Sequence, residues 1–345
     1  MSKAASETLE TYLSAFAGVD PMKLSVARAV IGMAGAGRVL AAMVADGAIA
    51  AEHGSVIGEN FGGDAQKELD LKAHEVVLDA MRLAGVAMLG SEEADHPDQL
   101  DPNGLVAVAI DPLDGSSNID INISIGTIFS VLPRGETENP FLQKGSRQLA
   151  AGYIVYGPHT DLVLTVGEGT AIFTLDRWSG RFLLTERRAQ IAEAAKEFAI
   201  NMSNYRHWAP EVRHYIDDCL AGKTGPRQRD FNMRWVASLV AEVSRILARG
   251  GVFLYPEDSR PGYRSGRLRL VYEANPIAFL VEQAGGKASN GQARILDLEP
   301  TDLHEKTPLV LGSTEEVSRF EYYRSNPSPA DRNPLFNKRG LFRDE

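Results

Sequence analysis

The 345-residue chain has a single cysteine, so it can form no internal disulfide and no dithiol switch. That residue, Cys219, lies in the helix-like stretch "HYIDDCLAG" and reads as a small apolar core residue rather than a nucleophile. Positive charge is also scarce. The 36 Lys and Arg face 46 Asp and Glu, for a formal net charge of −10. This balance excludes a general binder of nucleic acid or of anionic membranes. An anionic substrate would need a local cluster of cations, or metal ions, to offset the global field. No segment reads as apolar over the length of a membrane span. The opening "MSKAASETLETYLS" lacks the apolar stretch of a secretory signal, so the expected location is cytoplasmic, with no membrane partner. In that compartment the "NMS" sequon at 201–203 has no meaning. The seven histidines, His53, His96 and His159 among them, show no paired metal spacing. His74-Glu75 begins like a zincin motif, but Leu78 stands where the second histidine belongs. The "GAG" at 35–37 lacks the third glycine and the preceding strand of a dinucleotide loop, and reads as close helix packing. Repeats and low-complexity segments are absent.

The chain does have the composition of a globular protein, 44% hydrophobic and 24% charged, with enough length for one large domain or two ordinary ones. Residues 1–50 carry helical periodicity, with Leu9, Leu13 and Phe16 in step and an Ala/Gly-rich continuation after Pro21. "EHGSVIGENFGGDAQKELD", 52–70, is Gly-rich and acidic and reads as a mobile loop. "LKAHEVVLDAMRLAG" reads as a helix closed by Gly85. Short apolar runs with turn signals between them then read as strands through "RFLLT". "RRAQIAEAAKEF" reads as the junction between two halves. Beyond it, "FAINMSN", "GGVFLYPED" and "GRLRLVYEANP" read as strands, and "PIAFLVEQAGG" as a helix opened by Pro276 and closed by Gly285. The pattern is mixed α and β, with helices packed on sheets. The polar, Pro-containing tail from about 325 reads as surface.

The chemistry concentrates in "VAVAIDPLDGSSN". A buried strand, 105–110, delivers Asp111 at its end. Pro112 stiffens the turn, Gly115 lets the backbone bend sharply, and Asp111 and Asp114 point into one space with the Leu113 carbonyl between them. Two carboxylates this close repel unless a cation sits between them, and hard oxygen ligands suit Mg²⁺ or Mn²⁺. Gly115, Ser116 and Ser117 offer backbone N–H groups and hydroxyls to phosphate oxygens. The bland alternative is an Asx-type turn with solvated aspartates. "SEEAD" weighs against it, because Glu92 and Glu93 also follow an apolar run, and Asp64 and Asp70 in the Gly-rich loop add to the cluster. The residues therefore point to metal-assisted phosphoryl transfer to water.

"SEEAD", "DPLDGSSNIDINISIGTIFS" and "GRLRLVYEANPIAFLVEQAGG" closely resemble class I fructose-1,6-bisphosphatase, and the resemblance runs from about residue 52 to "LVLGS" at 309–313. The DPLDGSSNID run is specific; the shorter DPxDG is shared with the wider Mg²⁺-dependent sugar and inositol phosphatase superfamily. The resemblance implies an α/β protein, a layered αβαβα sandwich with an N-terminal αβ half at 1–192 and a C-terminal substrate-binding half at 193–345. It implies a homotetramer and hydrolysis of the 1-phosphate of fructose 1,6-bisphosphate, in gluconeogenesis or the Calvin cycle. Two or more Mg²⁺ per subunit would be held by Glu92, Glu93, Asp111, Asp114, Glu273 and the Leu113 carbonyl. Glu93 and Asp70 would take the proton from the attacking water, with Asp64 helping to hold a metal when its loop closes. The sugar would bind through Asn201, Tyr205, Tyr255, Arg267 and Arg269, and Arg234 would reach into a neighbouring subunit. Glu273 is placed by this reading at a strand end before a helix. Without the resemblance, Arg234 and Arg269 read as ordinary cations, Tyr205 and Tyr255 as core aromatics, and Asn201 as a cap.

Some residues depart from the family pattern. The Gly-Thr-Gly-Glu stretch that binds the phosphate of the inhibitor AMP is replaced by "FAGVDPMKLS", and a Lys-Tyr pair by Leu105-Val106, leaving Arg147 as the one matching contact. AMP inhibition is expected to be absent or weak. Trp235 stands for a tyrosine, Arg267 for a phosphate-binding lysine, and the interval from Tyr255 to Arg267 is longer than usual. These changes open a sedoheptulose-1,7-bisphosphatase or dual-specificity alternative. An inositol-monophosphatase-like enzyme would carry an Asp after Trp, which none of Trp178, Trp208 and Trp235 provides. A sugar-phosphate-binding regulator without catalysis should have lost a carboxylate, and none is missing. Cys219 alone precludes thioredoxin control of the plastid type.

Overall fold

The structure, a computed structural model, describes residues 7–46, 56–59, 65–135 and 137–326. The first part of the chain forms α1 (Leu9–Ala17), α2 (Pro21–Asp46), β1 (Val56–Glu59), β2 (Ala65–Lys67), α3 (Glu68–Leu83), β3 (Met88–Ser91), β4 (Asp98–Gln99), β5 (Val106–Asp114), β6 (Ile125–Pro133), β7 (Ala150–Tyr156), β8 (Thr160–Thr165), β9 (Thr170–Asp176) and β10 (Arg181–Ala189). The rest forms β11 (Glu197–Ala199), α4 (Pro210–Leu220), β12 (Asn232–Met233), α5 (Leu239–Arg249), β13 (Val252–Tyr255), β14 (Leu268–Arg269), α6 (Asn275–Gln283), β15 (Lys287–Ser289), β16 (Lys306–Thr307), β17 (Leu309–Gly312) and α7 (Thr314–Ser325).

Period-two alternation in the strands builds the layers. Eight strands form one sheet in the order β10-β9-β8-β7-β6-β5-β3-β4, antiparallel except for the parallel β3–β5 pair. Val106, Val108 and Ile110 of β5 face α1, α2 and α3, while Ala107 and Ala109 between them face the other way. Tyr153 of β7 and Ile128 of β6 join the opposite core, where α5 and α6 lie. That core also takes Phe253, Leu309 and Leu311 from a second sheet, ordered β12-β11-β13-β17-β15. The far face of the second sheet, with Phe198, Val252, Leu254 and Val310, packs on α4 and α7. The result is helix, sheet, helix, sheet, helix: the αβαβα sandwich expected from the sequence.

Helix starts and stops follow local chemistry. The Thr8 hydroxyl accepts the Thr11 N–H at 3.4 Å ahead of α1, whose buried stripe is Leu9, Leu13 and Ala17. Gly85, at φ +70°, ends the α3 region, as the pattern predicts. Four expectations need correction. First, α2 is long and apolar enough to cross a membrane by length and composition, with hydropathy 1.5 over its best window. In this fold it is a core helix. Val26, Val30, Met33 and Leu40 are buried, and Gly37 lets Ile154 of the sheet pack where a Cβ would stand. Second, the stretch read as a loop carries the antiparallel β1–β2 ribbon, and Asp70 belongs to the first turn of α3, where it is buried. Third, the junction segment "RRAQ" is partly strand, because β10 runs on to Ala189 against β9. Fourth, "LRLVYEANP" is strand only at Leu268–Arg269. Leu270–Ala274 winds into a π-helical turn that leads into α6. All five residues of that turn are buried, so burial from every side overrides the alternation that reads as a strand.

Candidate active site

Two neighbouring strands end side by side. The parallel register sets Ser91 against Ile110, and the Glu92 N–H donates to the Ile110 carbonyl at 3.0 Å. This carries Glu92 and Glu93 to the edge where Asp111 leaves the sheet. The β5–β6 register shifts between Asp111 and Asp114, so the DPLD segment bulges. The Thr127 hydroxyl donates to the Pro112 carbonyl at 2.8 Å and lies 2.7 Å from the Tyr156 hydroxyl, which pins the bulge from behind. Gly115 then turns at φ +77°, and a Cβ there would approach Ser238 Cβ to 3.3 Å. The Asp111 carboxylate accepts the Leu113 N–H at 3.0 Å, so the Asx turn is present. Its aspartate, however, is buried rather than solvated.

Asp111, Asp114 and Glu273 offer carboxylate oxygens within 4.8 Å of one another, all buried. Burial, followed by Glu92, Glu273, Asp114 and Glu93, pushes the Asp111 carboxyl well above its ordinary range. Glu273 is likewise pushed up, first by burial and then by Glu92, against the opposing N–H of Arg269. Asp114 is raised to about 6 by burial, while the Val240 N–H at 3.0 Å and the Ser238 hydroxyl at 3.2 Å hold it down. Both donors belong to the start of α5, where the helix end favours an anion. Hard oxygen donors converging in a buried, mutually repelling cluster fit a divalent cation, which reverses the repulsion.

A cleft of about 430 Å³ opens over this cluster. Its walls include Glu92, Glu93, Asp111, Leu113 and Asp114, with Gly115, Ser116 and Ser117 where the chain leaves β5. Glu273, Asn201, Tyr255, Arg267 and Arg269 also line it. Arg269 is buried, with its Nε 3.5 Å from Glu92 Oε1, so one guanidinium sits among the acids. Asn201 both lines the cleft and caps the 202–207 turn, accepting the Ser203 N–H at 3.2 Å. Three of the named residues do not line this cleft, Arg234 among them, which the resemblance assigns to a neighbouring subunit's site. Asp70 is buried in α3 and is not part of the cleft wall. Tyr205 turns away, and its hydroxyl bonds both Asp217 oxygens at 2.9 Å, because α4 places that carboxylate within reach. Arg234 sits just after edge strand β12, half-exposed, with its Nε 3.8 Å from Glu197. Asp64 lies outside the described residues.

The cleft also holds Trp235, where the sequence departs from the family's tyrosine, and residues around the start of α5. Trp235 stacks on Phe253 with centroids 6.0 Å apart and an interplanar angle of 4°, and continues to Tyr255. Ser238 and Leu239 bring the start of α5 to the wall. A serine ahead of the amphipathic "LVAEVSRILAR" is a helix-start signal that marks this position, though not its distant partner Asp114. Ala237 holds a positive φ of 61°, and its carbonyl accepts from Asn118 Nδ2 at 3.0 Å.

Comparison with known proteins places these features. Residues 24–187 match the family model for the fructose-1-6-bisphosphatase N-terminal domain, and 191–325 the model for its C-terminal domain. The class 1 fructose-1,6-bisphosphatase of Azorhizobium caulinodans is 55% identical over 323 residues, spanning 92% of this chain and 98% of the relative. That of Rhizobium meliloti is 55% identical over 344 residues, spanning 97% and 99%. Among solved structures, Leishmania major fructose-1,6-bisphosphatase in holo form superposes with a TM-score of 0.87 at 33% identity, covering 94% of this chain and all of that one.

Proposed function

The chain belongs to the class 1 fructose-1,6-bisphosphatase family, and from that premise we propose how its cleft hydrolyses the 1-phosphate of fructose 1,6-bisphosphate to fructose 6-phosphate and phosphate. The observation that carries the mechanism is the buried convergence of Asp111, Asp114 and Glu273 at the wall of a cleft that also holds two arginines.

When bound, two or more divalent cations, Mg²⁺ in our reading, would supply Lewis-acid charge to offset the carboxylates and polarise the phosphoryl group. Glu92, Glu93, Asp111, Asp114, Glu273 and the Leu113 carbonyl would hold them. Gly115, Ser116 and Ser117 receive the reacting phosphate where the chain turns out of the bulge, and the left-handed Gly115 opens the backbone to it. Glu93 lines the cleft and is the group to which we assign the proton of the attacking water. Asp70, as its partner, would act from behind the wall. Arg269 and Arg267 bind the anionic substrate in a chain whose net charge opposes it. Asn201 and Tyr255 hold the sugar. In its own chain Tyr205 is engaged with Asp217, so we remove it from the binding set.

Arg234 stands outside its own cleft on the exposed edge of the second sheet, which supports a role in the cleft of a neighbouring subunit of a tetramer. We also propose that AMP does not inhibit. At the start of α2 the Asp20 carboxylate accepts the Lys23 N–H at 2.9 Å, and Pro21 has no N–H, so the helix end is already capped by an anion. The cytoplasm is the compartment this reading places it in.

The test is phosphate release by purified protein with Mg²⁺, comparing fructose 1,6-bisphosphate with sedoheptulose 1,7-bisphosphate. Release from the six-carbon substrate is expected; no release from it overturns the reading. The relatives compared above are named for the six-carbon substrate, which does not favour the seven-carbon alternative.

A further inference from the structure

The loop between β13 and β14 builds a stack that the cleft residues do not account for. Two guanidiniums lie over the Tyr263 ring, Arg260 4.2 Å and Arg267 4.8 Å from its centroid. The Tyr263 hydroxyl accepts from Arg267 Nη1 at 3.2 Å. Arg260 is anchored on its outer side. Its Nε donates to both Asp258 oxygens at 3.0 and 3.1 Å, its Nη2 pairs with the same carboxylate, and Nη2 also donates to Asn204 Oδ1 at 3.0 Å. Asp258 is buried and in turn accepts the Arg260 N–H at 2.9 Å. The anchor is therefore a neutralised pair, fixed to the turn that carries Asn201. A small recess walled by Tyr263 shares Asn201 and Tyr255 with the cleft, which places the stack beside the substrate residues.

We infer that Tyr263, braced by the Asp258–Arg260 pair, is a positioning residue that sets the plane of Arg267 for the phosphate distal to the reaction. This rests on the bisphosphatase reading above. The physical reason lies in the arginine. A guanidinium binds phosphate through a planar fork, so its orientation matters, whereas an ammonium is a point charge. An aromatic face holds that plane by cation–π contact, and here the Tyr263 hydroxyl fixes the Nη1 edge as well. Arg260 also lies over the ring, and its charge is spent on Asp258. Of the two cations on the ring, Arg267 is the one that lines the cleft. Leu268 and Arg269 follow directly in β14, paired with β16, so the far end of the loop is also fixed.

The experiment compares Tyr263→Ala, Tyr263→Phe and Arg267→Lys, singly and with Tyr263→Ala combined with Arg267→Lys. Tyr263 is half-buried in a surface loop, and unchanged thermal transitions check that the variants fold. Tyr263→Ala is expected to raise KM for fructose 1,6-bisphosphate by roughly five- to tenfold with kcat nearly unchanged, the size of one cation–π contact. It should weaken fructose 6-phosphate binding, measured by calorimetry, in parallel. Tyr263→Phe keeps the ring and loses only the hydroxyl bond to Arg267, so its KM should fall between those of Tyr263→Ala and the wild type, closer to the wild type. In the Arg267→Lys background, adding Tyr263→Ala should change KM little, because an ammonium has no plane to hold. An unchanged KM in Tyr263→Ala, or an equal effect in both backgrounds, overturns the inference. Wild-type protein that fails to hydrolyse the bisphosphate overturns the functional reading instead, and the calorimetry then decides the stack by itself.

Discussion

Glu273 Oε2 accepts the backbone N–H of Arg269 at 2.6 Å, closing the π-helical turn onto its own carboxylate. The same residue thus shapes the backbone and supplies charge to the cluster with Asp111 and Asp114. Glu273→Gln keeps an acceptor for the N–H and removes the charge. Its activity is expected to fall by roughly a hundredfold or more, the several kcal/mol that metal-held charge contributes. Its metal-free form should melt no lower than wild type, because a repelling buried anion is gone. A lower melting temperature in EDTA would show that the turn, rather than the charge, needs the glutamate.

Stability without metal should depend on pH in an unusual direction. The Asp111, Asp114 and Glu273 carboxyls have folded-state pKa values raised above their ordinary range, first by burial. Their contribution to stability is therefore fully present below the unfolded value of 3.8 for Asp, and for Asp114 it is lost as pH rises through about 6. Melting curves in EDTA should show this group of carboxyls stabilising the fold as pH falls from 7 toward 5. Added Mg²⁺ should raise the melting temperature more at pH 7.5 than at pH 5.5, since protons compete for the same oxygens. An equal Mg²⁺ effect at both values would place the metal elsewhere.

Arg227 and Glu316 form a buried pair, with Arg227 Nη2 2.7 Å from both Glu316 oxygens and the Tyr215 hydroxyl donating to Oε2 at 2.9 Å. Glu316 comes from α7 and Tyr215 from α4, so the pair ties the two outer helices together. Glu316→Ala strands a buried guanidinium and should cost about 3–5 kcal/mol in urea unfolding. Glu316→Met with Arg227→Met should recover much of that loss.

Cys219 is buried under the same pair, and burial pushes its thiol up to about 12. A neutral thiol away from solvent is a poor nucleophile. Native protein should give no measurable reaction with a thiol reagent at pH 8, and one equivalent after denaturation. Fast native labelling would refute the placement.

AMP at millimolar concentration should leave phosphate release unchanged. Asp20→Gly, which uncovers the start of α2, is the variant in which some sensitivity would first appear. Inhibition of the wild type would show that the Asp20 cap does not keep the nucleotide out.

Much of the site is legible in the sequence because its signals are local. Asp111, Asp114 and the Glu92-Glu93 pair follow apolar runs directly, and a strand that ends must deliver what comes next. Gly115 is required by the positive φ of the turn itself. The positions that sequence patterning misplaces depend on distant neighbours. Tyr205 is drawn to Asp217 by the docking of α4, and Arg269, which reads as an ordinary strand cation, is buried beside Glu92. The π turn at 270–274 looks like a strand because both conformations bury the same apolar residues.

The sequence by itself determined most of the elements and the acidic character of one strand edge, since periodicity, turn residues and charge act over a few residues. Only the tertiary structure decided which groups meet. Ser238 and Asp114 are 124 residues apart in the chain and 3.2 Å apart in space. Glu273 reaches Asp111 from the other half of the molecule. Such contacts exist because two sheets share a buried helical layer, and the free energy of closing that layer, rather than any local preference, holds the carboxylates together against their repulsion.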